Sequence, residues 1–162
     1  VTAAVTALAG EAAPRVLAAY RAAYPSIAPY LLYNRILTDR GQFRNANLQA
    51  ERKAAQGGAP VWKYLFTWPS PADGGRWGAV HGIDVSLPFH RADTEMHGYG
   101  TPRARQLADE LTGAWVSFAR TGRLDWPPYT AARRATLVLG DDTRVVDDPL
   151  RDLRLLWADS AG

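Results

Sequence analysis

The sequence predicts an α/β fold, and one that is incomplete as a free-standing domain. Three observations carry this. Residues 61–68, Val61-Trp62-Lys63-Tyr64-Leu65-Phe66-Thr67-Trp68, are nearly continuously apolar and read as a central strand covered on both faces. Residues 101–121 read as a long amphipathic helix. Residues 136–139 and 143–146 read as two short strands joined by Gly140-Asp141-Asp142, a hairpin. One strong strand and two weak ones leave the backbone groups of a central strand short of partners. The rest of the sheet is therefore expected upstream of this chain.

Taken in order, residues 1–9 form a short helical piece ended by Gly10. Residues 11–23 read as a helix, and Val16, Leu17, Tyr20 and Tyr24 recur at helical spacing. Pro14 is tolerable only in the first turn of that helix, and Pro25 stops it. Residues 27–37 predict a second helix, interrupted early by Pro29. Residues 42–56 predict a third, with Phe43, Ala46, Ala50 and Ala54 along one side. Gly57-Gly58 ends it and Pro60 prevents continuation. After the strand, residues 69–78 are turn-rich, and residues 87–100 are irregular and hold His90 and His97. Thr101 is the N-cap and Pro102 the first residue of the long helix. Leu107, Leu111, Trp115 and Phe118 trace its apolar stripe, read as core, and Gly122 stands at the C-cap. Trp126-Pro127-Pro128-Tyr129 reads as a rigid packing loop. Residues 150–157 predict a terminal helix after Pro149.

Composition bounds the function. Of 162 residues, 47% are hydrophobic and 22% charged, which excludes a disordered chain. The net charge of +3 comes from arginines spread along the chain, without the basic stripe a nucleic-acid face needs. The absence of cysteine excludes disulfides and thiolate metal sites. No apolar run reaches the ~18 residues of a membrane span. No signal peptide is visible at Val1-Thr2-Ala3-Ala4-Val5; the compartment stays open, with cytoplasmic the default.

The chemistry centres on Gly78-Ala79-Val80-His81-Gly82-Ile83-Asp84. A histidine on a glycine-flanked turn beyond a strand end can reach a substrate and exchange a proton near neutral pH. Its nucleophile is missing: no Gly-x-Ser-x-Gly occurs. Ser70 lies between Pro69 and Pro71, and Ser86 has no flanking glycine. His90 and His97 read as surface or loop histidines. Together with Asp93 their spacing is too irregular for a metal site.

The order of several segments resembles the C-terminal third of the type-B carboxylesterases, the cholinesterase-like branch of the α/β-hydrolases, and within it the bacterial para-nitrobenzyl esterase kind. These segments are Thr38-Asp39-Arg40, Ala59-Pro60-Val61-Trp62-Lys63-Tyr64-Leu65-Phe66, the His81 segment, Trp115-Val116-Ser117-Phe118-Ala119-Arg120-Thr121-Gly122 and Trp126-Pro127-Pro128-Tyr129. The resemblance covers nearly all of residues 1–162, read as the C-terminal segment of a single hydrolase domain. It implies that His81 is the catalytic base, that Gly82 completes the family's histidine-glycine pair, and that Asp84 is a supporting group rather than the triad acid. The serine elbow, the glycine-rich oxyanion segment and the triad glutamate are then expected upstream. None of Glu11, Glu51, Glu95 or Glu110 sits in the family's context for that acid. The substrate implied is a small-molecule ester, the partner is the upstream part of the same domain, and no cofactor or metal is implied. Phe66, Trp68 and Trp77 are candidate walls of the substrate pocket. Val85-Ser86-Leu87-Pro88-Phe89-His90 departs from the family's apolar stretch. The isolated chain is expected to be inactive. The competing readings are a non-catalytic cholinesterase-like binding or adhesion module and an independent small domain.

Overall fold

In the computed structural model, which describes residues 1–158, the chain runs α1 (Thr2–Ala9), α2 (Ala13–Ala23), α3 (Pro29–Thr38), α4 (Arg44–Ala55), β1 (Tyr64–Phe66), α5 (Pro102–Thr121), β2 (Ala135–Leu139), β3 (Arg144–Asp147) and α6 (Arg151–Leu156). Two compact units emerge: Val1–Lys53 with the segment from Pro149 on, and Ala54–Asp148.

The first unit is helical. Pro29 opens α3 instead of interrupting a helix begun at residue 27, because its fixed φ suits the first turn and its missing N–H is not needed there. A π-helical turn, Asp39–Phe43, joins α3 to α4, where the sequence suggested two separate helices. Its extra residue shifts the phase of the buried face. Asn47 is buried beside Phe43 and Ala50, and Ala46, expected on that side, is exposed. The core of this unit gathers Val5, Val16, Leu17, Tyr20, Leu32 and Ile36 around Leu153 and Trp157 of the terminal helical segment.

The second unit is built on a three-stranded sheet of order β1-β2-β3. β1 pairs parallel with β2 (Tyr64 opposite Leu137, Phe66 opposite Leu139), and β2 pairs antiparallel with β3 through the expected hairpin. A parallel pair requires a long crossover. Here the crossover carries the His81 turn and α5. Residues 61–68 are not the long central strand the sequence suggested. Regular pairing covers three half-buried residues, and among the described residues β1 lies at the sheet edge. The ladder ends where the Thr67 and Trp68 amides both donate to the Leu139 carbonyl (2.7 and 3.2 Å). At the other end the Val61 carbonyl accepts from the Tyr129 amide in the Pro-rich loop, not from β2.

α5 has the termini its sequence demands. Thr101 Oγ1 accepts from the Ala104 amide, Pro102 opens the helix, and Gly122 closes it in a left-handed conformation. Only the first half of its stripe is core: Ala104, Leu107, Ala108 and Leu111 are buried with Trp68, Ile83, Leu87 and Leu139. Trp115 and Phe118, expected in the core, are 55% and 48% exposed. A 20-residue helix is ~30 Å long and outruns the cluster beneath it. The Phe118 ring meets the Trp62 ring edge-on at 5.9 Å.

Candidate active site

The path to His81 starts at the buried Trp68 and proceeds through successive tight turns. The Ser70 amide donates to the Gly78 carbonyl (2.9 Å) and the Val80 amide to the same oxygen (3.0 Å). Beyond His81 the Ile83, Val85 and Leu87 amides donate to the Val80, Gly82 and Asp84 carbonyls (3.2, 3.1 and 3.1 Å). The pattern of burial along this run is sharp. Ile83 and Leu87 are core residues, and His81 and Gly82 face solvent. Buried anchors therefore hold an exposed imidazole at the tip. Among the described residues no group hydrogen-bonds that ring.

Gly82 adopts φ +81°, and a Cβ built there would meet nothing within 4 Å. The constraint is torsional, not spatial. Gly82→Ala is expected to cost about 1–2 kcal/mol, read as a lower denaturation midpoint; an unchanged midpoint would show that the turn has no need of glycine.

Asp84 is tied to the sheet. Tyr64 on β1 donates its hydroxyl to Asp84 Oδ2 at 2.8 Å. Burial first, then the bond to Asp84 and its charge, push the Tyr64 phenol well above its ordinary value. The phenol therefore remains a protonated donor across the physiological range. With one oxygen committed to Tyr64, Asp84 braces the turn from its carboxyl side.

His97, expected as a surface or loop histidine, does sit in a short turn of the irregular segment but is not at the surface: it is 2% exposed. Its Nδ1 lies 2.6 Å from Thr94 Oγ1 and its Nε2 2.9 Å from the Ile83 carbonyl. The ring stacks on Trp68, centroids 6.3 Å apart and planes 7° apart. A carbonyl can only accept, so Nε2 carries the proton. Nδ1 and the Thr94 hydroxyl share the second bond, so both ring nitrogens have a partner. The Thr94-x-x-His97 spacing is the sequence signal that could have revealed this turn. His90 is exposed and pairs with Asp109 at 3.0 Å. Asp93 pairs with Arg91 at 2.8 Å, which holds its carboxyl below the usual range. His90, His97 and Asp93 thus point to different partners, and the described residues contain no group of three or more metal-ligating side chains.

The remaining candidates have defined places. Ser70 is buried, with its hydroxyl donating to the Met96 carbonyl (2.7 Å) and accepting from the Ala72 amide (3.2 Å). Ser86 donates to the Arg91 carbonyl at 2.8 Å. Of the aromatics considered for pocket walls, Trp68 is buried core and Phe66 is half-buried against the same cluster. Trp77 is exposed, bonded to Asp73 (2.8 Å) and covered by Arg76 at 4.7 Å.

No family model matches the chain. A para-nitrobenzyl esterase of Bacillus subtilis (strain 168) is 30% identical over 104 residues, 59% of this chain and 21% of that protein. A phenmedipham hydrolase of Pseudarthrobacter oxydans is 31% identical over 111 residues, 62% of this chain and 21% of that one. Among solved structures, a Geobacillus stearothermophilus carboxylesterase superposes with a TM-score of 0.71 at 31% identity, over 88% of this chain and 31% of that chain. A PNB esterase superposes with a TM-score of 0.69 at 25% identity, over 96% of this chain and 32% of that chain. The chain matches the C-terminal portion of the type-B carboxylesterases. Its helices and small mixed sheet are accordingly part of an α/β-hydrolase fold. It spans 21% of the length of the curated relatives it matches. No helix among the described residues is long and apolar enough to cross a membrane.

Proposed function

We propose that this chain supplies the general base of a carboxylesterase that works by a serine-hydrolase mechanism. The observation that supports this most is the exposed His81 imidazole, carried on a glycine-dependent turn with buried anchors, in a chain similar to carboxylesterases. In this reading a serine from another part of the polypeptide attacks the ester carbonyl. His81 takes the hydroxyl proton as the tetrahedral oxyanion forms, then delivers it to the departing alkoxide, leaving an acyl-serine. Water attacks the acyl-serine in turn, giving its proton to His81, and the collapse returns that proton to the serine and releases the carboxylic acid. An acid on the far ring nitrogen and backbone N–H donors at the oxyanion complete the site. In this reading Asp84 is a supporting group rather than that acid, with its Oδ2 bound by the Tyr64 hydroxyl. The substrate class is a small carboxylic ester. The similarity to a para-nitrobenzyl esterase and a phenmedipham hydrolase favours activated aryl or benzyl esters as first substrates to try.

The test starts with the 162 residues alone. The hydroxyls of Ser70 and Ser86 are committed to carbonyls, and loss of the serine from such a triad lowers turnover on the order of 10⁶-fold. The isolated chain is therefore expected to hydrolyse a short-chain nitrophenyl ester no faster than buffer. Turnover that His81→Ala abolished would place the nucleophile inside the chain and overturn the proposed division of labour. A full-length protein that hydrolysed no ester and took up no serine-directed organophosphorus reagent would favour a binding module instead.

A further inference from the structure

We infer that His97 is a positioning residue for the His81 turn, acting through the Ile83 carbonyl; the inference rests on the catalytic reading of His81 for its kinetic consequence. The Ile83 carbonyl is two residues beyond His81, and it receives the His97 Nε2–H at 2.9 Å in buried surroundings. The imidazole that makes this bond is itself immobilised. Thr94 holds its Nδ1, and the Trp68 ring lies parallel to it in an offset stack. The Thr94 carbonyl accepts from the His97 and Tyr99 amides (3.1 and 2.9 Å), which closes the turn that carries the ring. The next residue, Gly98, has φ +60°, and a Cβ there would stand 2.8 Å from Pro71 Cγ and 2.9 Å from Thr101 Cγ2. Only glycine lets this turn press so closely against Pro71 and the N-cap of α5. The Ile83 side chain is held in the core while its amide donates to Val80. His97 adds a hold on the carbonyl side, and Tyr64 adds one on Asp84. The exposed tip is thereby carried between a core side chain and two donors, the buried His97 and the half-buried Tyr64.

A general base must sit within hydrogen-bond reach of the proton it takes, and a misplacement near 1 Å can cost about 10²-fold. His97 touches no substrate in this arrangement; it sets where His81 stands. His97→Phe preserves the ring and its stack on Trp68 but removes the donor. In the full-length protein it is expected to lower kcat for a nitrophenyl ester by about 10- to 100-fold with KM essentially unchanged. Amide exchange across residues 83–85 should quicken at the same time. His97→Gln, whose amide nitrogen can stand where Nε2 stands, is expected to recover most of the lost kcat and protection. The pair His97→Asn and His97→Gln carries the same contrast, because the Asn amide reaches only the Nδ1 position; a His97→Phe protein that failed to fold would leave that test standing. Wild-type kcat in His97→Phe, equal losses with and without the donor, or unaltered exchange across 83–85 would each overturn the inference. Failure of the underlying reading shows differently, as turnover that survives His81→Ala whatever the exchange pattern.

Discussion

With His81 as the proposed general base, His81→Ala in the full-length protein is expected to lower kcat for a short-chain nitrophenyl ester by about 10⁵- to 10⁶-fold and to leave the unfolding midpoint where it was. The first half of this expectation follows from the role. Without a base the serine hydroxyl must attack as a neutral alcohol, and the leaving alkoxide has no acid to protonate it. What remains is the catalysis of an oxyanion hole and substrate binding alone. The second half follows from the geometry. The His81 side chain is exposed and, among the described residues, has no hydrogen-bond partner, and substitutions at such positions fall within about 0.5 kcal/mol. Chemistry and stability are therefore expected to separate at this residue. They do not separate at Ile83 or Leu87, which are core. Loss of turnover accompanied by a large drop in the denaturation midpoint would mean that His81 supports the fold. Retention of turnover would remove it from the mechanism.

The turn that carries His81 was legible in the sequence because glycine and proline act locally. Gly82 reads as a turn residue whatever surrounds it, and its φ of +81° bears this out. The ends of α5 are equally local: Thr101, Pro102 and Gly122 specify a cap, a first turn and a left-handed stop without reference to the rest of the chain. So does Gly140-Asp141-Asp142 between β2 and β3. What depended on distant neighbours was not legible. An apolar run such as residues 61–68 announces burial but not how many of its amides find a ladder, and here Thr67 and Trp68 converge on one carbonyl. Trp115 and Phe118 continue a helical stripe that the core stops covering after Leu111. His97 looked like one more polar residue in an irregular stretch. Its burial is decided by Ile83 and Trp68, 14 and 29 positions earlier in the sequence. Ala46 and Asn47 exchanged places because one π turn alters the phase of everything after it.

Trp157→Ala is expected to destabilise the first unit by about 3–5 kcal/mol, more than any surface change in the chain. The indole is 3% exposed and packs with Val16, Leu17, Tyr20 and Ile36. α6 is only six residues long, too short to be stable by itself, so its helicity depends on what docks it. The indole is also the first link in a buried polar chain. Its Nε1–H donates to the Tyr20 hydroxyl (2.9 Å), which donates to Asp39 Oδ2 (2.9 Å), and Arg35 Nε donates to the same oxygen (3.1 Å). Trp157→Phe keeps most of the packing but loses the donor and part of the ring volume, so it should cost less, about 1–3 kcal/mol. Chemical denaturation of the two variants separates the contributions, and an alanine loss no larger than the phenylalanine loss would show that the indole is not packed as described. The same network gives a sign for pH. Burial pushes the Asp39 carboxyl above the usual range, against the lowering pull of Arg35 and the Tyr20 hydroxyl. Among the described residues its Oδ1 has no partner. The folded state therefore holds this proton more tightly than the unfolded state does. The stability this contributes is fully present below the unfolded carboxylate value of ~4 and is lost as pH rises through the raised folded value. Asp39→Asn should remove that decline, so the difference between wild type and variant should drift in the variant's favour as pH climbs from the acid side; a constant difference would mean that Asp39 titrates alike in both states.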